Sequence, residues 1–234
     1  MKLLRSLLFN IFFYVSLIFV SFVIILLYPF ISTPSLQIVS SYWIKLILYA
    51  LKVLCGVSWT VNGIDNIPNT PCIIVSNHQG QWESFFLQTL KIPSSSIIKK
   101  ELLYIPFFGW ALACLKPIHL RRRKKYISMK KVIKDGSKKL KKGTSIIIFP
   151  EGTRNDPKNG LNNFSSSCGV LSVNNQVPIV PVCHNSGLYW KNKKFVKDSG
   201  VVNVEIGKPI SVANAKKATE ETYRWINSKF KEIH

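Results

Sequence analysis

From residue 6 to residue 44 the chain carries no Asp, Glu, Lys, Arg or His, and residues 6–31 (SLLFNIFFYVSLIFVSFVIILLYPFI) are almost wholly apolar. That run exceeds the roughly 20 residues needed to cross a hydrocarbon core. It is also longer than the apolar part of a secretory leader, and no small-residue cleavage pattern closes it. A buried core helix of this kind would need more surrounding protein than 234 residues supply. Membrane insertion is therefore the reading.

Residues 41–57 (SYWIKLILYALKVLCGV) are different, because Lys45 and Lys52 lie one heptad apart and share a helical face opposite Leu, Ile and Val. That pattern suits a helix lying in the membrane interface. Lys2 and Arg5 precede the apolar run and set the N-terminus on the cytoplasmic side. A single crossing would then strand the remainder outside, unless the second segment carried its lysines back at about 2.5–3.5 kcal/mol each. The expected arrangement is a helical pair over residues 1–57, broken near Pro29 and Pro34, which dips into one leaflet. A two-pass hairpin is the alternative. Either way residues 58–234 form one domain, expected on the cytoplasmic side of the membrane.

The balance of 32 Lys and Arg against 11 Asp and Glu, a formal charge of +21, calls for anionic partners. A mean hydropathy of +0.16 and the lack of aromatic residues interleaved with the basic ones argue against nucleic acid. The five cysteines form no C-x-x-C pair, so neither a zinc site nor a disulfide framework is expected.

Beyond residue 58, β-branched runs at 73–75, 96–98, 145–149, 179–182 and 201–206 alternate with helical stretches at 83–90, 124–141 and 215–233. This is the pattern of an α/β sheet with helices on its faces. In the helix from 124, Tyr126, Met129, Ile133 and Leu140 recur at helical spacing among many lysines. Its basic face is either merely solvated or in contact with phosphate or membrane.

Two loops at strand ends carry chemistry. In Asn77-His78-Gln79-Gly80-Gln81-Trp82-Glu83 a carboxylate follows a histidine across a turn, close enough to hold the imidazole in one tautomer and leave its other nitrogen to accept a proton. Alone, such a pair is a weak signal, and a structural histidine is the favoured reading of it. In Phe149-Pro150-Glu151-Gly152-Thr153-Arg154, Gly152 permits close backbone approach and Arg154 offers a planar fork for phosphate or carboxylate. The alternative there is a tight turn with a solvated arginine. His119, His184 and His234 lack a comparable partner and are read as structural or incidental.

Taken in order, Asn77-His78-x-x-x-x-Glu83, Phe149-Pro150-Glu151-Gly152-Thr153-Arg154 and Val177-Pro178-Ile179-Val180-Pro181-Val182 resemble the first, third and fourth motifs of the glycerolipid acyltransferases, in particular the bacterial 1-acylglycerol-3-phosphate branch. The stretch from Lys99-Lys100-Glu101 to Arg122 is similar to the second motif region. Glu83 stands where Asp is usual, Gly80 where Ser is common, and Arg121 where the second motif has Asp.

The resemblance implies a single acyltransferase domain with a mixed sheet flanked by helices, preceded by the membrane helical pair. It implies His78 as general base, with Glu83 as its charged partner. Glu151, Gly152, Thr153, Arg154, Arg122 and Lys100 would bind the acceptor. The donor would be acyl-CoA or acyl carrier protein, the acceptor lysophosphatidate, and the surroundings membrane phospholipids. No cofactor or metal is implied, since a thioester is already activated. Related acyltransferases acting on glycerol-3-phosphate, another lysophospholipid or a lipid A precursor are the nearest alternatives. A non-catalytic basic membrane-binding protein is the alternative from a different class.

Overall fold

The computed structural model describes residues 1–120 and 125–234. Two long helices open the chain, α1 (Lys2–Leu27) and α2 (Thr33–Cys55). The second begins at Thr33, earlier than the lysine pattern predicts. Ser32 accepts a hydrogen bond from the Ser35 amide and Pro34 occupies the first turn, where a missing N–H costs nothing. Pro34 thus opens α2, and the break between the two helices falls at residues 28–32, beside Pro29 and Pro34. Gly56 ends it in the left-handed conformation at φ 70°.

Seven strands follow: β1 (Val57–Asn62), β2 (Ile73–Ser76), β3 (Ser94–Lys99), β4 (Ile118–Leu120), β5 (Ser145–Ile148), β6 (Ile179–His184) and β7 (Gly200–Ile206). They form one mixed sheet in the order β1-β7-β6-β2-β5-β3-β4. From β6 across to β4 all neighbours are parallel, whereas β7 runs antiparallel to β6. The C-terminal ends of β6, β2, β5, β3 and β4 therefore meet along one edge. Strands β2, β5 and β6 are buried along their whole length, which is why they read as unbroken apolar runs rather than alternating ones.

Helices cover both faces. On one, α1, α2 and α3 (Trp82–Leu90) bury Phe9, Phe13, Leu48, Leu51, Trp82 and Leu87 against Ile74, Val180 and Val202. On the other, α5 (Lys125–Leu140), α6 (Ser167–Asn175) and α7 (Ala215–Ile233) close over Ile73, Val75, Ile146 and Ile148 with Leu171, Ile226 and Phe230. The short helix α4 (Phe108–Cys114) packs Ala111 against Val20 and Ile24 of α1.

Helices α4 and α6 and strands β1 and β4 were not expected from sequence. Helix α6 is SCGVLSVNN, with no apolar period, and is held by close packing on α7: a Cβ on Gly169 would lie 2.0 Å from the Ala215 carbonyl oxygen. Strand β4 spans three residues, and β1 is an edge strand with only Val57 buried.

Only 28% and 33% of the most apolar windows of α1 and α2 are buried, so neither behaves as an ordinary core helix. Leu4, Ile11, Val15, Phe19, Phe22 and Leu26 face outward from α1. A continuous apolar face of this size marks a membrane or partner contact. The inner face also carries polar residues that meet the domain: Ser6 accepts the Lys197 amide at 2.9 Å and Asn10 Oδ1 accepts the Lys197 ammonium at 2.9 Å. Lys45 and Lys52 both point away from the protein.

Candidate active site

His78 sits two residues beyond β2, on the edge where the parallel strands end. Its Nδ1 lies 3.0 Å from Glu83 Oε1, and Glu83 itself is fully buried in the first turn of α3. The same oxygen accepts the amides of Gln79 at 2.9 Å and Gly80 at 2.7 Å. The other, Oε2, accepts the Ser186 hydroxyl at 2.8 Å.

Burial alone would push the Glu83 carboxyl up. The hydrogen bond from His78, the positive character of His184 and His78, and the Gly80 amide hold it instead well below the usual carboxylate range. Four donors on one carboxylate favour the ionised form. With Glu83 accepting, Nδ1 of His78 carries the proton and Nε2 is the nitrogen with an open lone pair. The imidazole side chain is 15% exposed and stacks on Phe149, with ring centres 4.1 Å apart.

Gly80 has a specific reason to be glycine. It bridges Lys191, and an added Cβ would stand 2.5 Å from the Trp190 carbonyl oxygen. That close approach clamps the loop between His78 and Glu83.

The loop after β5 is tied to the same histidine by its backbone. Glu151 Oε1 accepts the His78 amide at 2.8 Å, Oε2 accepts the Asn162 amide at 3.0 Å, and the His78 carbonyl accepts the Asn155 amide at 2.8 Å. Burial pushes the Glu151 carboxyl up while the two amides oppose it. Glu151 thus acts as a brace between two loops, with both oxygens used inside the protein. Gly152, at φ 69°, and Thr153 are exposed. Arg154 is half-buried, its Nη1 3.4 Å from Asn192 Oδ1.

Lys100 follows β3 on the same edge, its ammonium 5.8 Å from the Tyr104 ring centre. Arg122 lies outside the described residues. The structure brings His78, Glu83 and Glu151 into one hydrogen-bonded group and places the 152–154 loop and Lys100 along the edge beside it.

Strand β6 adds what the sequence did not announce. Asn77 and His184 exchange bonds on adjacent strand ends: Asn77 Oδ1 accepts the His184 amide, Asn77 Nδ2 donates to the His184 carbonyl, and His184 Nε2 meets the Asn77 carbonyl at 3.0 Å. His184 Nδ1 is 3.1 Å from the Ser186 hydroxyl. Gln79 Oε1 accepts the Gly187 amide, while its Nε2 reaches His234 Nε2 at 2.7 Å. His184 and His234 are both bonded inside the protein, and each holds a residue flanking His78, Asn77 and Gln79 respectively.

A family model described as acyltransferase matches residues 58–185. A 1-acyl-sn-glycerol-3-phosphate acyltransferase of Pseudomonas aeruginosa is 43% identical over 165 residues, which cover 70% of this chain and 64% of that protein. One from Saccharomyces cerevisiae is 30% identical over 172 residues, 72% of this chain and 57% of its own. The match thus spans less than two thirds of either relative. In fold, the chain superposes on the crystal structure of the 1-acyl-sn-glycerophosphate (LPA) acyltransferase PlsC from Thermotoga maritima with a TM-score of 0.82 at 20% identity, over 99% of this chain and 95% of the other.

Proposed function

Because this chain belongs to the acyltransferase family, we propose that it transfers a fatty acyl group from acyl-CoA or acyl carrier protein to the sn-2 hydroxyl of lysophosphatidate, giving phosphatidate. The observation that carries this reading is the His78–Glu83 pair: a partly exposed imidazole whose Nδ1 is fixed by a fully buried carboxylate.

In the proposed reaction His78 Nε2 takes the hydroxyl proton as the oxygen attacks the thioester carbonyl. Glu83 stabilises the imidazolium that forms. The tetrahedral intermediate collapses by expelling the thiolate, which recovers the proton from His78, so an ester and a thiol replace an alcohol and a thioester. The thiolate is a good leaving group, so the proposed chemistry uses no cofactor, metal or enzyme nucleophile. Arg154, with Lys100 and Arg122, would meet the acceptor phosphate, for which the guanidinium fork is suited. Glu151, by bracing His78, would keep that loop beside the base.

The outward apolar faces of α1 and α2, together with the bacterial relative, support membrane attachment, and we place the domain on the cytoplasmic side of an inner membrane. Purified protein assayed on a panel of lysophosphatidate, other lysophospholipids and glycerol-3-phosphate, with each thioester donor, tests the assignment. Lysophosphatidate should be the preferred acceptor, and no turnover with any pair would overturn it. In membranes, the protein should resist salt and alkaline washes, because salt weakens surface charge interactions and not acyl-chain burial. Release by salt alone would make the basic surface the anchor.

A further inference from the structure

A cavity of about 480 Å³ lies at the sheet edge opposite His78. Pro93, Pro117 and Thr144, the residues immediately before β3, β4 and β5, form part of its lining, as does the first turn of α2 at Thr33 and Pro34. Four lysines also line it: Lys116, Lys138, Lys139 and Lys142. Among the described residues none of the four has an ion-pair partner. The one acid in the lining, Asp135, is held by Lys131 at 2.5 Å.

Burial pushes the Lys139 ammonium down, and the charges of Lys116 and Lys142 push it the same way against Asp135. Lys116 adopts φ 52°, a left-handed conformation that a lysine holds only when its surroundings impose it. Like charges gathered around one cavity weaken the folded chain unless an anion sits among them. The N-terminal turn of a 23-residue helix, α2, lines the same space, and the helix dipole there favours an anion.

The place of the cavity identifies the anion. It lies beside the turn between α1 and α2, where Tyr28 and Phe30 are 42% and 77% exposed and Lys116 Nζ stands 5.7 Å from the Tyr28 ring centre. Aromatic residues at the end of an apolar helix settle at headgroup depth, where lipid phosphate is the abundant anion. We propose that this cavity holds the phosphate of an anionic membrane lipid, separate from the acyl-transfer site, and so fixes how the domain sits on the bilayer. The proposal rests on the membrane-bound reading of α1 and α2.

The test uses the full-length protein in neutral detergent micelles, titrated with phosphatidylglycerol, phosphatidylcholine or inorganic phosphate while thermal unfolding is followed. Phosphatidylglycerol should raise the midpoint saturably and phosphatidylcholine should not. Three lysines near an anionic lipid together contribute on the order of 100-fold in affinity, so K116Q/K139Q/K142Q should need that much more phosphatidylglycerol. A charge-matched control at exposed sites elsewhere, K208Q/K217Q/K231Q, should respond nearly as the parent does. Equal losses in both triples would reduce the effect to net charge and overturn the proposal. Stabilisation by inorganic phosphate as great as by the lipid would overturn the lipid assignment. Should the pocket triple fail to fold, Lys142→Glu, at an exposed position, carries the same comparison. Turnover on detergent-dispersed substrates should be unchanged in Lys142→Glu. Flotation of the parent with neutral phosphatidylcholine vesicles tests the membrane reading separately, and loss of flotation would sink that reading rather than the cavity.

Discussion

Ser186 donates its hydroxyl to the Glu83 oxygen that His78 does not use, across 103 residues of sequence. Ser186→Ala would leave a buried carboxylate oxygen with no donor. Hydrogen bonds to charged groups contribute about 1.5–3 kcal/mol, and with part of that felt in the transition state turnover should fall by about tenfold. The acceptor KM should hold while turnover falls, and the acid side of the stability profile should weaken as the Glu83 carboxylate loses a donor. Turnover and acid stability equal to the parent's would leave Ser186 as a space-filler.

His78→Ala should cut turnover by about 10²–10⁴-fold with circular dichroism and membrane association unchanged. Glu83→Gln can keep the Gln79 and Gly80 amides by turning its NH₂ toward Ser186, so it retains shape and loses charge. It should be severe, and Glu83→Asp should recover part of the loss. If Asp were no better than Gln, paired charge would not be the basis of the effect. Stability follows the same carboxylate. Its folded pKa lies below the ordinary 4.5, so its contribution is present above that value and is lost as the pH falls further. Glu83→Gln should therefore lose less stability than the parent on acidification below 4.5.

Arg154→Lys keeps the charge and loses the fork. The KM for lysophosphatidate should rise more than that for the thioester in steady-state kinetics. Equal shifts in both constants would remove Arg154 from the acceptor site.

His234 supplies a second pH effect of the same sign by a different route. Burial pulls its pKa from 6.5 to about 4, against the Phe230 carbonyl that favours protonation. The folded protein then binds fewer protons than the unfolded chain between those values. Stability should be complete above pH 6.5 and decline as the pH falls toward 4. Protonation also sets an N–H against the Gln79 NH₂, one residue from His78. In His234→Gln the thermal midpoint should be flatter between pH 4.5 and 6.5 than in the parent. An unchanged slope would show that another group governs this window.

The pairing of His78 with Glu83 was legible because it is local: a strand end, a turn and a helix start fall within one short segment. The buried strands were legible because both their faces are covered and their residues are uniformly apolar. What joins them was not. Ser186, His184 and the bracing of His78 by Glu151 depend on β6 and β5 flanking β2, and no local pattern encodes that neighbourhood. Helix α6 was hidden for the converse reason, since its place is fixed by contact with α7 rather than by its own period.

The rings of Phe9 and Phe13 stand 5.3 and 5.8 Å from Trp190, in the same cluster that backs the sheet behind Trp82. The apolar helix pair is therefore a wall of the domain rather than a tether on it. Folding of the domain and docking of α1 and α2 become one event, because together with α3 they close this face of the sheet. A version trimmed of these helices would present Trp190 and the part of the sheet face that α3 leaves uncovered to water, and should aggregate.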